Sequence, residues 1–410
     1  MPDEGSKSVR IGLLGRGTVG AAFAELVAER ADAVEAATGR RPEIAGVLTR
    51  DEGDFGEILE RSDLIVELIG GTDPARRFAI DAMRAGRPLV TANKQLLAQH
   101  GDELFEIARE QGVQLRFEAA VAGVIPIVRT IQESFGVTEI SKVFGIVNGT
   151  TNFILSEMAA SGAGYGEVLA QAQALGYAEA DPSDDVSGAD AAAKMAILAR
   201  LAFHTPVTLS EVAFEGIENI RPDDLAYAKE LGLSLKLLGA AERRDGGISV
   251  RVFPCFLYRG HPLAPIEGPF NAVMVEAPAI TEVTMSGPGA GGVQTASAVL
   301  GDVVSILAGD APVHETRTEL PIVADVSSSF YLYLEVADQP GVLAQIAQVL
   351  GDHEVSVKSV VQRGIGEDAR LVMVVHECLE SRFAAAVEAL GELDEVRATP
   401  RAIRVIEEQF

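Results

Sequence analysis

The sequence predicts an α/β protein in three consecutive parts, and three observations predict it. A glycine-rich turn, Gly15-Arg16-Gly17-Thr18-Val19-Gly20, joins a short apolar run to a segment with apolar residues at helical spacing. Short apolar runs then alternate with helical segments through the first third of the chain, the pattern of a doubly wound parallel sheet. The last fifth of the chain reads strand, helix, strand, strand, helix, strand.

In the first part, residues 1–128, the opening strand is 9–14 and its helix 21–37, with further strands at 44–48, 64–68, 88–91 and 114–118. The first glycine of the turn permits a tight bend, the second lets backbone approach a pyrophosphate, and the third lets helix and strand pack closely, with the helix N-terminus facing the phosphates. Gly15, Gly17, Thr18, Val19 and Gly20 are therefore expected to hold a dinucleotide in a Rossmann-type domain. After the second strand, Arg50 could hold a 2′-phosphate and favour NADP, whereas Asp51 could bond a free 2′-hydroxyl and favour NAD. NADP is the preferred reading.

The second part, residues 129–320, reads as an α+β domain, with strands at 137–146, 249–258 and 273–284 and helices at 151–160, 165–175 and 188–203. A glycine-rich stretch, 287–292, leads into a helix at 293–308, and residues 293–312 are expected to pack back on the first part. Residues 320–329, ending in Ser327-Ser328-Ser329, read as a linker. Beyond it, strands at 331–336, 355–362, 370–376 and 402–406, helices at 341–350 and 382–393 and a turn at 364–367 give a ferredoxin-like βαββαβ unit, expected as a separate domain over 331–410.

Composition excludes several function classes. The 410 residues include 60 acidic and 34 basic ones, a net charge of −26, and 48% are hydrophobic. So acidic a chain cannot supply the basic surface that nucleic acid requires, and so apolar a chain folds. The longest uncharged stretch, 283–301, is broken by glycines and Pro288, so no membrane span is expected. The N-terminus lacks the apolar core of a secretory signal, and Cys255 and Cys378 offer no disulfide framework, which points to a reducing cytoplasm. His100, His204, His261, His314, His353 and His376 show no metal-ligand spacing and read as structural or surface residues.

Chemistry concentrates at two lysines, in a chain with only seven. Thr91-Ala92-Asn93-Lys94 ends the fourth strand, at the sheet edge where ligands bind in open parallel sheets. In the second part, Glu179, Asp181, Asp184 and Asp185 cluster just ahead of a helix carrying Asp190 and Lys194. Acidic residues also favour a helix start, and Asp190 and Lys194, four apart, could be an ordinary helix ion pair. Their apolar neighbours make a buried or cleft-facing pair plausible, and a desolvated lysine there can exchange a proton near neutrality.

With these motifs, and with Glu67-Leu68-Ile69-Gly70-Gly71, Glu118-Ala119-Ala120-Val121-Ala122-Gly123, Asn148-Gly149-Thr150-Thr151-Asn152 and Gly176-Tyr177-Ala178-Glu179-Ala180-Asp181-Pro182, the chain resembles the homoserine dehydrogenase family over essentially its whole length. The resemblance implies NAD(P)-dependent interconversion of L-homoserine and L-aspartate 4-semialdehyde, in the biosynthesis of threonine, methionine and isoleucine. It implies that Lys94 and Lys194 flank the reacting oxygen, Lys94 also contacting the cofactor, that Asp190 supports Lys194, and that Glu179 and Asp185 hold the substrate's amino-acid end. It implies that Gly289 lies in the segment approaching the nicotinamide, a position that could equally be a hinge. It further implies a monovalent-cation site, Na+ as its ion, at Glu118 with the carbonyls of Val121, Gly123 and Ile125, where a plain strand-to-helix turn closed by Pro126 is the alternative.

Asp338-Gln339-Pro340-Gly341-Val342-Leu343 resembles the signature of ACT domains. That implies feedback regulation, with threonine as the ligand, or a module used only for dimerisation, and an assembly as a homodimer or homotetramer. A non-catalytic amino-acid sensor and another amino-acid dehydrogenase are the competing readings. The two lysines argue against the sensor and the 179–194 constellation against the other dehydrogenase. No aspartokinase-like stretch is expected ahead of Val9.

Overall fold

The computed structural model describes residues 7–309, 317–364, 366 and 369–406. The first part is strand β1 (Lys7–Leu14), helix α1 (Thr18–Thr38), β2 (Arg40–Leu48), α2 (Phe55–Arg61), β3 (Leu64–Glu67), α3 (Ala75–Arg84), β4 (Leu89–Thr91), α4 (Lys94–Gln111) and β5 (Leu115–Arg116). The strands form a parallel sheet in the order β2-β1-β3-β4-β5. Every residue of β3 and β4 is buried, as expected of central parallel strands covered on both faces. The register sets Leu14 beside Leu48 and Glu67, and Glu67 beside Thr91. All four strands thus end on one edge, so the turns that follow them converge there.

The middle part begins with the short helix α5 (Ile127–Arg129) and β6 (Lys142–Ile146). Helices α6 (Gly149–Ser161), α7 (Tyr165–Ala174), α8 (Ser183–Val186) and α9 (Ala189–Phe203) come next, then β7 (Ala213–Phe214), α10 (Pro222–Glu230), β8 (Leu233–Arg244), β9 (Gly247–Tyr258), β10 (Phe270–Ala277), β11 (Thr281–Pro288) and α11 (Gly292–Ala308). Three expectations are corrected here. The strand expected over 137–146 starts at Lys142, and Val137 is fully exposed. The run 273–284 is not one strand but most of a hairpin, β10 and β11 paired antiparallel around Pro278, whose missing N–H cannot continue a ladder. Strand β8 went unread because Lys236, Gly239 and Glu242 interrupt its apolar run, although residues 235–242 are all buried.

Helix α9 lies against this sheet with nearly every residue buried. A Cβ on Gly239 would sit 2.4 Å from the Met195 side chain, so a glycine in β8 admits the helix. Helix α11 returns to the first part, where Ala296, Val299, Val303 and Leu307 share a core with Ile11, Phe23, Val27 and Val66. Residues 310–312 of the expected return, His314, and Ile365 and Glu367 of the expected turn lie outside the described residues.

The third part is β12 (Ser327–Glu335), α12 (Val342–Asp352), β13 (Val357–Arg363), β14 (Arg370–Leu379), α13 (Glu380–Gly391) and β15 (Arg401–Ile406), with sheet order β15-β12-β14-β13. Ser327, Ser328 and Ser329 are strand, not linker, because β14 and β15 pair with them. Nor is the unit free-standing: β15 pairs parallel with β9, setting Arg404 beside Cys255, so one sheet runs β11-β10-β6-β8-β9-β15-β12-β14-β13. Ion pairs close the seam, with Arg404 on Glu380 at 2.7 Å and on Glu215 at 2.8 Å, and Arg251 reaching both Glu380 and Glu242. The junction covers an edge on each sheet that would otherwise stand open, and sequence periodicity carries no sign of such long-range pairing. Among the described residues, no helix is long and apolar enough to cross a membrane.

Candidate active site

Each glycine of the first turn has its own physical reason. Gly15 has φ +99°, and a Cβ there would lie 2.6 Å from the Leu68 carbonyl oxygen. A Cβ on Gly20 would lie 2.1 Å from the Gly15 carbonyl oxygen, so α1 packs on the turn only without a side chain. A Cβ on Gly17 would meet nothing within 4 Å, and no side chain caps α1 there. Open space over uncapped helix N–H groups suits a pyrophosphate. Thr18 and Val19 follow in the first turn of α1, where Thr18 touches Gly292 and Val19 packs into the core shared with α11. Arg50 and Asp51 are both exposed beyond β2, on the same edge.

Glu67, at the end of β3, is fully buried, and its carboxylate accepts the Ile69 N–H at 2.7 Å and the Thr91 hydroxyl at 2.6 Å. Burial pushes its pKa above the usual carboxylate value, against those hydrogen bonds. Asn93 caps α4 by accepting the Leu96 N–H at 3.0 Å and donates to the Gly71 carbonyl at 2.6 Å. This network fixes Lys94, the first residue of α4.

Lys94 and Lys194 converge on one carboxylate. Asp190, only 5% exposed, bonds Lys94 through Oδ1 and Lys194 through Oδ2 at 2.6 Å. Lys194 Nζ also donates to the Val147 carbonyl at 2.7 Å. Burial raises the pKa of Asp190, but the two ammonium groups outweigh it and hold the carboxyl well below its ordinary range. Burial likewise pulls Lys94 down, and Asp190, with Asp185 and Asp184 behind it, brings it above the ordinary lysine value. The i, i+4 pair visible in the sequence is therefore part of a three-membered cluster whose third member stands at the start of α4, in the first part of the chain.

Asp185 is half-buried in α8 and accepts from the Asn148 amide at 2.6 Å. Glu179 is exposed, and among the described residues its carboxylate makes no hydrogen bond or ion pair. Gly289 is closely packed: a Cβ there would sit 2.3 Å from the Asn271 side-chain oxygen, and its carbonyl abuts Gly123. Asn271 in turn donates to the Val147 carbonyl at 3.3 Å, which links this segment to the lysine site. Asn148 and Asn271 were missed as site residues; Asn148 stands in a motif that carried the family resemblance without a role of its own, and nothing local marks Asn271.

The loop after β5 is unusual. Ala122 and Gly123 are consecutive residues with left-handed backbone, φ 58° and 66°. The Glu118 carboxylate accepts the N–H groups of Val128 at 2.8 Å and Arg129 at 2.9 Å, and the Glu118 N–H donates to Asp302 at 2.8 Å. Burial pushes Glu118 up to about 7 and Asp302 up to about 6, with Arg129 beside both. The Ile125 carbonyl accepts the Ile127 N–H at 2.8 Å.

Family models match three segments: the NAD-binding domain of homoserine dehydrogenase over residues 15–118, homoserine dehydrogenase over 126–304 and the ACT domain over 330–395. A homoserine dehydrogenase of Corynebacterium glutamicum is 42% identical, covering 98% of this chain and 97% of its own. The chain belongs to the homoserine dehydrogenase family. A homoserine dehydrogenase structure from Thiobacillus denitrificans superposes with a TM-score of 0.94 at 36% identity, covering 98% of this chain and 99% of that one. A hyperthermophilic archaeal homoserine dehydrogenase in complex with NADPH has a TM-score of 0.65 at 26% identity over 75% of this chain and 99% of its own. Homoserine dehydrogenase activity and a nicotinamide cofactor thus fit the uncapped glycine turn, and an ACT domain occupies the C-terminal part as its residues implied.

Proposed function

We propose that this homoserine dehydrogenase uses Lys194 as the acid/base for the substrate's C4 oxygen and Lys94 to orient substrate and cofactor. The Lys94–Asp190–Lys194 cluster carries this reading: two ammonium groups on one buried carboxylate, assembled from two parts of the chain at the cofactor edge. A nicotinamide cofactor held at the glycine turn would supply hydride exchange at C4. The protein supplies position and charge: ammonium groups stabilise a developing alkoxide, and Lys194 gives up or takes the proton. Asp185 and the exposed Glu179 suit the substrate's cationic amino group.

The preferred cofactor is NADP, held by Gly15, Gly17, Thr18, Val19 and Gly20 with Arg50 on the 2′-phosphate, and the NADPH complex of the archaeal relative supports that choice. The ACT turn, residues 336–343 with Gln362 and Leu371, lines a recess of about 310 Å³ whose size suits threonine as a feedback ligand. A cytoplasmic homodimer or homotetramer completes the proposal. One assay tests it. NADPH formation from homoserine is expected, with Arg50→Ala narrowing the preference of NADP over NAD about tenfold or more, and with inhibition by millimolar threonine. Equal use of both cofactors by the unmodified enzyme overturns the assignment to Arg50, and indifference to threonine overturns the regulatory reading.

The 121–125 loop fits a monovalent cation. Its carbonyls are hard oxygen donors beside two buried carboxylates, Glu118 and Asp302, the second paired with Arg129. Glu118 would act there mainly through its charge, since both its oxygens already accept backbone N–H groups. NaCl is expected to raise Tm by a few degrees over tetramethylammonium chloride at equal ionic strength. Equal Tm values count against the site.

A further inference from the structure

We infer that Asn148 is a positioning residue of the reaction, one that ties the substrate-ammonium carboxylate Asp185 to the carboxylate that carries both lysines, Asp190. The inference rests on the roles proposed above for Lys194 and Asp185.

Asn148 is 4% exposed and stands between β6 and α6 as the residue ahead of the helix. Its Oδ1 accepts the Thr151 N–H at 2.9 Å and so caps α6. A backbone N–H can only donate, which fixes the amide's orientation and turns its NH2 toward the acids. That NH2 donates to Asp185 Oδ1 at 2.6 Å and to Asp190 Oδ2 at 2.8 Å, the same Asp190 oxygen that holds Lys194. The residue before it, Val147, accepts from Lys194 Nζ at 2.7 Å.

One dipeptide therefore fixes the ammonium of Lys194 from the carbonyl side and its counter-ion from the amide side. Two carboxylates this close repel each other unless a donor lies between them, and the Asn148 NH2 group is that donor. The bridge sets the spacing between the place for the amino group and the place for proton transfer. A helix cap alone requires none of this, because any Ser, Thr, Asp or Asn would serve.

That difference provides the test. Asn148→Asp keeps the cap and the shape but replaces the donor with a further acid against Asp185 on α8 and Asp190 on α9, in a site that also holds Asp184 on α8, Lys194 on α9 and Lys94 on α4. Asn148→Ser keeps the cap without adding charge. Both are expected to fold with Tm close to that of the unmodified enzyme. Each is expected to lose about tenfold or more in kcat and to raise KM for homoserine, the loss of charge-assisted hydrogen bonds to two acids. For Asn148→Asp alone, the alkaline limb of the kcat profile is expected to move to higher pH, since added negative charge holds Lys94 protonated.

Wild-type kcat and KM in a folded Asn148→Ser overturn the inference, and this variant decides the matter if Asn148→Asp does not fold. Lys194→Ala is measured beside them. If it retains turnover, the acid/base assignment itself fails; if it loses turnover while both Asn148 variants keep theirs, only the positioning role fails.

Discussion

Lys194→Ala is expected to lower kcat for homoserine oxidation by about a thousandfold, the range general acid/base groups supply, with NADPH affinity within a few-fold of the unmodified enzyme. The two effects separate because Lys194 Nζ bonds Asp190 and the Val147 carbonyl, both in the middle part, and touches none of the glycine turn that receives the cofactor. Steady-state turnover and fluorescence titration with NADPH check the two halves independently. Turnover within about tenfold of the unmodified enzyme would remove Lys194 from the acid/base role. Comparable losses in turnover and NADPH affinity would show instead that the substitution disturbs how the two parts fit together.

Asp190→Asn has the second large effect, on stability and activity together. The carboxylate is nearly inaccessible and balances two ammonium groups, so its removal strands charge in a low-dielectric site, at a cost of about 3 kcal/mol or more. The pH dependence follows from the direction of the shifts. Asp190 titrates below its ordinary 3.8, so its contribution is present above that value and is lost on acidification. Lys94 titrates above its ordinary 10.5, so its contribution is present below that value and is lost only in strong alkali. The variant should therefore lose most stability across the neutral range, the difference shrinking as pH falls below 3.8 and vanishing only in strong acid. In activity, burial then acts on Lys94 without its main opposing charge, so the alkaline limb of the kcat profile moves to lower pH. Chemical denaturation at several pH values and a kcat profile read both effects. Unchanged stability at pH 7 would mean that Asp190 is solvated and the cluster is not the closed unit described here.

Much of the fold was legible because its signals are local. The 15–20 turn works through local backbone geometry: Gly15 and Gly20 answer two separate steric needs, and Gly17 leaves open space over the helix N-terminus. The parallel sheet was legible because both of its faces are buried, so its strands are short continuous apolar runs. Strand β8 failed that test because its buried length carries Lys236 and Glu242, each with a partner inside the protein: Lys236 bonds Asn152 and the Ile266 carbonyl, and Glu242 bonds Arg251. A sequence cannot distinguish a buried charge that is partnered from a solvated one. The hairpin of β10 and β11 was blurred because only Pro278 interrupts it.

At the active site, the sequence by itself determined the chemistry on hand: a phosphate-binding turn, two lysines, and a group of carboxylates ahead of an apolar helix. It also fixed the Asp190–Lys194 pairing, because a four-residue spacing on a helix is a local geometric fact. Only the tertiary structure decided that Lys94, 96 residues earlier, shares that carboxylate, that Asn148 bridges it to Asp185, and that the C-terminal module is sewn into the middle sheet through β15 and β9. The physical reason is common to all three. Helix and turn periodicities constrain neighbours along the chain, whereas partners brought together by sheet register and helix packing depend on the whole arrangement of the core, and hydrogen bonds between them leave no period in the sequence.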